Sequence, residues 1–148
     1  MKPIQTTKIV PVILPSVIVD NAAFTSNVID LNDFDGSGYI EFVGVIGSID
    51  AAMAQLRVME SDTKTDATTL GGVPVEVKAA TSLPGAGDDG KPFVFGIDLT
   101  EPRERFLQLQ ATAGDGAAGT YLAVNALGRP GRESSDAEPR GLLFAEYA

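Results

Sequence analysis

The sequence predicts an all-β chain: an antiparallel two-sheet sandwich of jelly-roll type with extended N- and C-terminal arms. Three observations carry that expectation. Sixteen glycines and nine prolines fall between short apolar runs, the punctuation of strands joined by turns. The runs alternate in side-chain character or are rich in β-branched residues, and they recur about every 8–15 residues. Hydrophobic residues make up 44% of 148 residues, enough for one domain with a core. The expected organisation is an N-terminal arm or edge strand over 1–20, a sandwich over 21–128 and a flexible tail with an apolar docking tip over 129–148.

Taken in order, "KIVPVILPSVIV" (8–19) is strongly β-branched but cut by Pro11 and Pro15. Proline has no N–H to give a central ladder, so this stretch reads as an edge strand or an extended arm. The N-terminus as a whole, "MKPIQTTKIVPVILPSVIVD", has a charged start and an apolar middle that raise a secretory signal, against which stand the two prolines and the lack of a clean small-x-small site. "FTSNVIDL" (24–31) is the next strand candidate. "YIEFVGVIG" (39–47) is apolar on both sides of its alternation, as in a strand well inside a sheet.

"AAMAQLRVMESD" (51–62) is ambiguous, since Met53, Leu56 and Met59 keep helical spacing; its β surroundings favour a strand. "SDTKTDATTLGG" reads as a turn, "VPVEVKA" (73–79) as a strand and "TSLPGAGDDGK" (81–91) as a loop. "PFVFGIDL" (92–99), "RFLQLQA" (105–111) and "TYLAVNAL" (120–127) complete about eight strands. "GRPGRESSDAEPRG" (128–141) is too polar to order itself by burial, yet the chain ends "LLFAEYA". That apolar tip either docks on a neighbouring subunit or packs on its own.

Composition narrows the chemistry. The chain has no histidine and no cysteine, which removes the usual near-neutral general base, thiolate chemistry and Cys-ligated zinc. Its net charge of −9 repels phosphate backbones, so nucleic acid is not an expected partner. No apolar run approaches the ~20 residues that span a bilayer, so neither is a membrane.

"NDFDGSGYIEF" (32–42) has the look of a calcium loop. With Asp33 at position 1 of an EF-hand, Asp35, Ser37, Gly38 and Glu41 fall at positions 3, 5, 6 and 9. Position 12 is then Gly44, where a bidentate glutamate is required, and both flanks read as strand. A β-turn entering a strand accounts for the same residues. The acidic group Glu60, Asp62 and Asp66 reads as a solvated loop rather than a glycosidase pair, and "GAGDDG" and "GDGAAG" lack the helix and lysine of a phosphate cradle. No catalytic residue, metal ligand or cofactor is expected.

Arg103 and Arg105 open a strand beside a turn holding Glu101 and Glu104, where they can pair with an acidic loop of this chain or of a neighbour. With Ile13 and Leu14 of the arm, and Leu142, Leu143, Phe144 and Tyr147 of the tip, they form the candidate partner-binding set.

The order of motifs adds a resemblance. "VIDLNDFDGSGYIEFVGVIG", "AQLRVMESD" and "DDGKPFVFGIDLTEPRERFLQLQATAGDGAAGTYLAVNAL", within residues 28–127, resemble the jelly-roll cement, or decoration, proteins of tailed-bacteriophage capsids. The resemblance implies a non-enzymatic virion protein, often a homotrimer, on the outer surface of the capsid, where it bridges neighbouring major capsid protein subunits. Both termini fall outside it. Two rival expectations stand beside it: another phage structural sandwich, such as a tail or head-fibre component, and a calcium-dependent carbohydrate-binding module.

Overall fold

A computed structural model describes residues 8–34, 37–129 and 145–148. Among the described residues eleven strands form: β1 (Lys8–Ile13), β2 (Ile29–Asp30), β3 (Tyr39–Ile49), β4 (Gln55–Ser61), β5 (Lys64–Asp66), β6 (Thr69–Leu70), β7 (Val75–Ala79), β8 (Pro92–Asp98), β9 (Phe106–Thr112), β10 (Thr120–Arg129) and β11 (Ala145–Tyr147). A 3-10 turn, Leu31–Phe34, leads into the stretch before β3. One sheet has the order β1-β10-β3-β8-β11 and the other β2-β9-β4-β7, with β5–β6 as a separate small hairpin.

The pairing identifies the architecture. β1 pairs with β10, β2 with β9, β3 with β8 and β4 with β7, all antiparallel. Setting aside the β5–β6 hairpin and the added edge strand β11, the first of these eight strands meets the last and the second meets the second-last, as in a long two-stranded ribbon rolled so that successive pairs fall in opposite sheets. Lateral pairing of β10 with β3 and of β4 with β9 then completes each sheet. This is the jelly roll that the sequence predicts.

The core lies between the two sheets. Ile40, Phe42 and Ile46 of β3 and Phe93, Phe95 and Ile97 of β8 face Leu56 and Val58 of β4 and Leu107 and Leu109 of β9, all buried. Phe93 and Phe95 meet edge to face, with ring centroids 6.1 Å apart and planes at 81°. Gly44 lies in register with Phe93, and a Cβ there would fall 2.2 Å from the ring. The hydrogen side chain of Gly44 is what admits the phenyl group.

Several elements depart from the sequence reading for physical reasons. The 24–31 candidate contracts to the two residues of β2. Just before it, the Asn27 N–H donates to Val12 O (2.9 Å) and the Val28 N–H to Ala67 O (2.8 Å), so the backbone is shared between partners instead of following one ladder. Residues 51–62 settle as the strand β4, beginning at Gln55. The stretch read as a plain turn contains β5–β6, which covers Met59 and Phe106 with Leu70 on the outer side of the second sheet. There the buried Gln108 amide donates to Ser26 O (2.9 Å) and Thr68 O (2.7 Å), tying β9 to two loops.

Candidate functional site

Residues Lys8–Ile13 form the edge of the larger sheet. Edge placement accommodates Pro11, and a register shift between Pro11 and Ile13 turns the Val12 carbonyl toward Asn27. The irregular register and the end of the strand then separate the two arm residues of the candidate set. Ile13 is 3% exposed and packs in the core beside Val12. Leu14, just past the strand, is 59% exposed.

Leu14 has company that the sequence reading did not single out. Ile9, Val17 and Ile18 also present apolar side chains to solvent along residues 9–18. Beneath the return of the arm lies a cavity of about 190 Å³, lined by residues that include Val12, Val17, Val19 and Phe24. The signal was present as the apolar runs on both sides of Pro15 and Ser16 in "VILPSVIV", but strand alternation alone does not tell which of those residues lose a partner once the strand ends at Ile13.

The two arginines act within the chain. Arg105 donates from Nε to Asp30 Oδ1 (3.2 Å) and from Nη2 to Asp30 Oδ2 (2.9 Å), a forked pair that joins β9 to β2. The Arg105 hydrogen bond holds the Asp30 carboxyl below its ordinary range, with help from the Asn32 N–H, and Asp30 in turn raises the Arg105 guanidinium. The Arg105 guanidinium carbon also lies 4.9 Å from the Phe106 ring centre. Arg103 donates from Nε to Asp98 O (3.1 Å) across the β8–β9 turn. Both side chains thus have bonding partners within their own chain, and Arg105 stays about half exposed beside Asp30.

At the tip, Leu142, Leu143 and Phe144 lie outside the described residues. Tyr147 belongs to β11, which adds to the β8 edge of its own chain in parallel, Ala145 against Val94 and Tyr147 against Gly96. The Ala148 N–H donates to Gly96 O (2.8 Å), and the Asp98 N–H donates to Ala148 O (2.6 Å). The last four residues therefore continue the sandwich as a strand rather than leave it as a free tail.

The carboxylates are placed as structural ties. Asp66 caps the β5–β6 turn through the Thr68 N–H (2.8 Å), which lowers its pKa. Asp88 accepts from the Gly85 N–H (2.8 Å) and from Lys91 Nζ (2.8 Å), with the same effect. Asp50 accepts backbone N–H groups of Ala118 and Gly119, pinning the glycine-rich loop before β10 and lowering its own pKa. Glu104 goes the other way. Desolvation first, then Asp62 and Glu60, push its carboxyl up. Asp66 is thus occupied at its own turn, and Glu104 meets the field of Glu60 and Asp62.

Among the described residues no group of three or more acidic side chains is placed to hold a metal ion. The stretch resembling an EF-hand is entered from a 3-10 turn and runs into β3, where that motif requires two helices. Among the described residues no helix is long and apolar enough to cross a membrane. No family model, curated protein or solved structure matches this chain.

Proposed function

We propose that the chain is a non-enzymatic structural virion protein that binds the outside of a bacteriophage head as a homotrimer and cements neighbouring major capsid subunits. The observation that carries the reading is the apolar margin at the β1 edge, where Ile9, Leu14, Val17 and Ile18 are exposed within ten residues of an otherwise acidic chain. Scattered exposed apolar residues are ordinary, but Leu14 and Val17 also line the cavity beneath the arm, which fits a surface that another protein covers. The motif order within residues 28–127 and the jelly-roll pairing agree with the cement-protein resemblance.

The physical job requires no reaction chemistry. A protein that binds only the assembled lattice stabilises it by mass action, and one that touches two capsid subunits resists their separation. Asp50, Asp66, Asp88, Arg103 and the Asp30–Arg105 pair serve turns and strand registry, which suits a rigid spacer between partners. The acidic surface keeps such a particle soluble and repels stray nucleic acid.

Mixing purified protein with undecorated heads tests the reading. Saturable attachment over the whole shell, with heads that then resist heating or chelation better, is the expected result. Attachment at the tail vertex alone points to a tail or fibre component, and absence of attachment overturns both. A melting midpoint that rises with calcium and falls with chelator would instead favour the carbohydrate-binding alternative.

A further inference from the structure

We infer that the β8 edge is an acceptor for the C-terminal strand of a second copy, so that β11 is exchanged between subunits of the assembled protein. This rests on the oligomeric part of the proposed function and names the strand and the edge that would join the copies.

The register defines the distances. Arg129, at the end of β10, lies level with Tyr39 of β3 and Asp98 of β8, whereas Ala145, at the start of β11, lies level with Val94. From β10 to β11 is three strand spacings, about 14 Å, and from the level of Asp98 back to Val94 is about 13 Å. The shortest path between the two ends is therefore about 20 Å. The connecting residues 130–144 can extend to roughly 50 Å. The tether exceeds what closure on its own sheet needs by about 30 Å, so its length does not confine β11 to its own sheet.

The strand itself is suited to exchange. It is short, lies at an edge and is parallel to β8, whereas the jelly-roll pairs are antiparallel. Its bonds to β8, such as Ala148 N–H to Gly96 O and Asp98 N–H to Ala148 O, are main-chain bonds that any copy of the same four residues reproduces. The closed and exchanged forms thus contain the same local contacts. Their balance is set by tether entropy and by the proximity of neighbouring copies. Without β11, the β8 edge would offer unpaired N–H and C=O groups, the usual template for an added strand.

The cysteine-free chain permits a direct test. Single variants Ala145→Cys and Val94→Cys occupy registered positions on neighbouring strands, within the Cα separation that a disulfide accepts. They are denatured together, refolded as a mixture and oxidised, beside each variant alone and the double variant on one chain. A two-chain disulfide that joins one variant to the other, absent from either variant alone, is the expected result. No such product in the mixture overturns the exchange, whether or not the double variant closes within one chain. Light scattering of the unsubstituted chain gives a reading that needs no variant: a 15.4 kDa mass at every concentration overturns the exchange, and a multiple of it agrees. Neither measurement uses capsids, so failure here is distinct from failure to attach to a shell.

Discussion

At Gly44 one hydrogen atom decides how the core closes. In the sequence it stands where a calcium loop would need a glutamate, and that mismatch was legible. Its positive role was not, because Phe93 is far along the chain and only strand pairing brings the ring over it. Gly44→Ala is expected to push the phenyl group off its site and cost about 1–3 kcal/mol, as overpacking does, read as a lower urea midpoint at unchanged slope. Gln108 carries a second such residue-scale effect. In "RFLQLQA" it appears as a polar position on the solvent face, yet it is buried and donates to Ser26 O and Thr68 O. Gln108→Leu keeps the size and adds hydrophobicity, so burial alone would tolerate it. Leaving those carbonyls without their donor should cost roughly 1–3 kcal/mol, and a urea midpoint at or above that of the parent would count against the hydrogen-bond account.

Elements with a clean side-chain period were the ones the sequence disclosed. β3, β8, β9 and β10 combine apolar alternation with flanking turn residues, and β4 was decided by its neighbours rather than by its own helix-compatible spacing. β5 and β6 escaped because β5 is exposed throughout and β6 is two residues long, so neither carries a period. β11 stayed open for another reason: the apolar tip allowed a last strand on its own sandwich, but nothing in a local pattern says which edge will receive it. The arm was half legible, since its prolines placed it at an edge while the split between buried Ile13 and exposed Leu14 depends on register. Leu14→Ser with Val17→Ser removes apolar surface that the fold leaves in water, so unfolding free energy should stay within about 0.5 kcal/mol of the parent. Attachment to undecorated heads should weaken tenfold or more, about 1.4 kcal/mol. Unaltered attachment would remove this margin from the interface.

For the molecule as a whole, the sandwich class could be read from strand count and spacing, and the first-to-last pairing fits the jelly roll, but neither shows how the charge is held. That arrangement governs the response to acid. Asp30, Asp50, Asp66 and Asp88 all have pKa values below the ordinary 3.8, chiefly because N–H groups or a neighbouring cation favour the carboxylate. A depressed folded pKa means that the unfolded chain takes up protons first, so the stability these groups supply is present above their unfolded pKa. It drains away as pH falls through the folded values. Glu104 has the opposite sign, since its raised pKa makes the ionised form a burden that acid relieves. Four groups oppose one, and without histidine no side chain ordinarily titrates between about pH 5 and 8. Urea midpoints should therefore be nearly flat from about pH 8 to 5 and fall steeply below about pH 4. Because the four aspartates sit at separate places in the fold, replacing Asp50 by Asn should reduce that acid loss without abolishing it. A midpoint that instead rises between pH 5 and 3 would mean that repulsion within the −9 surface, and not these turn ties, dominates the acid response.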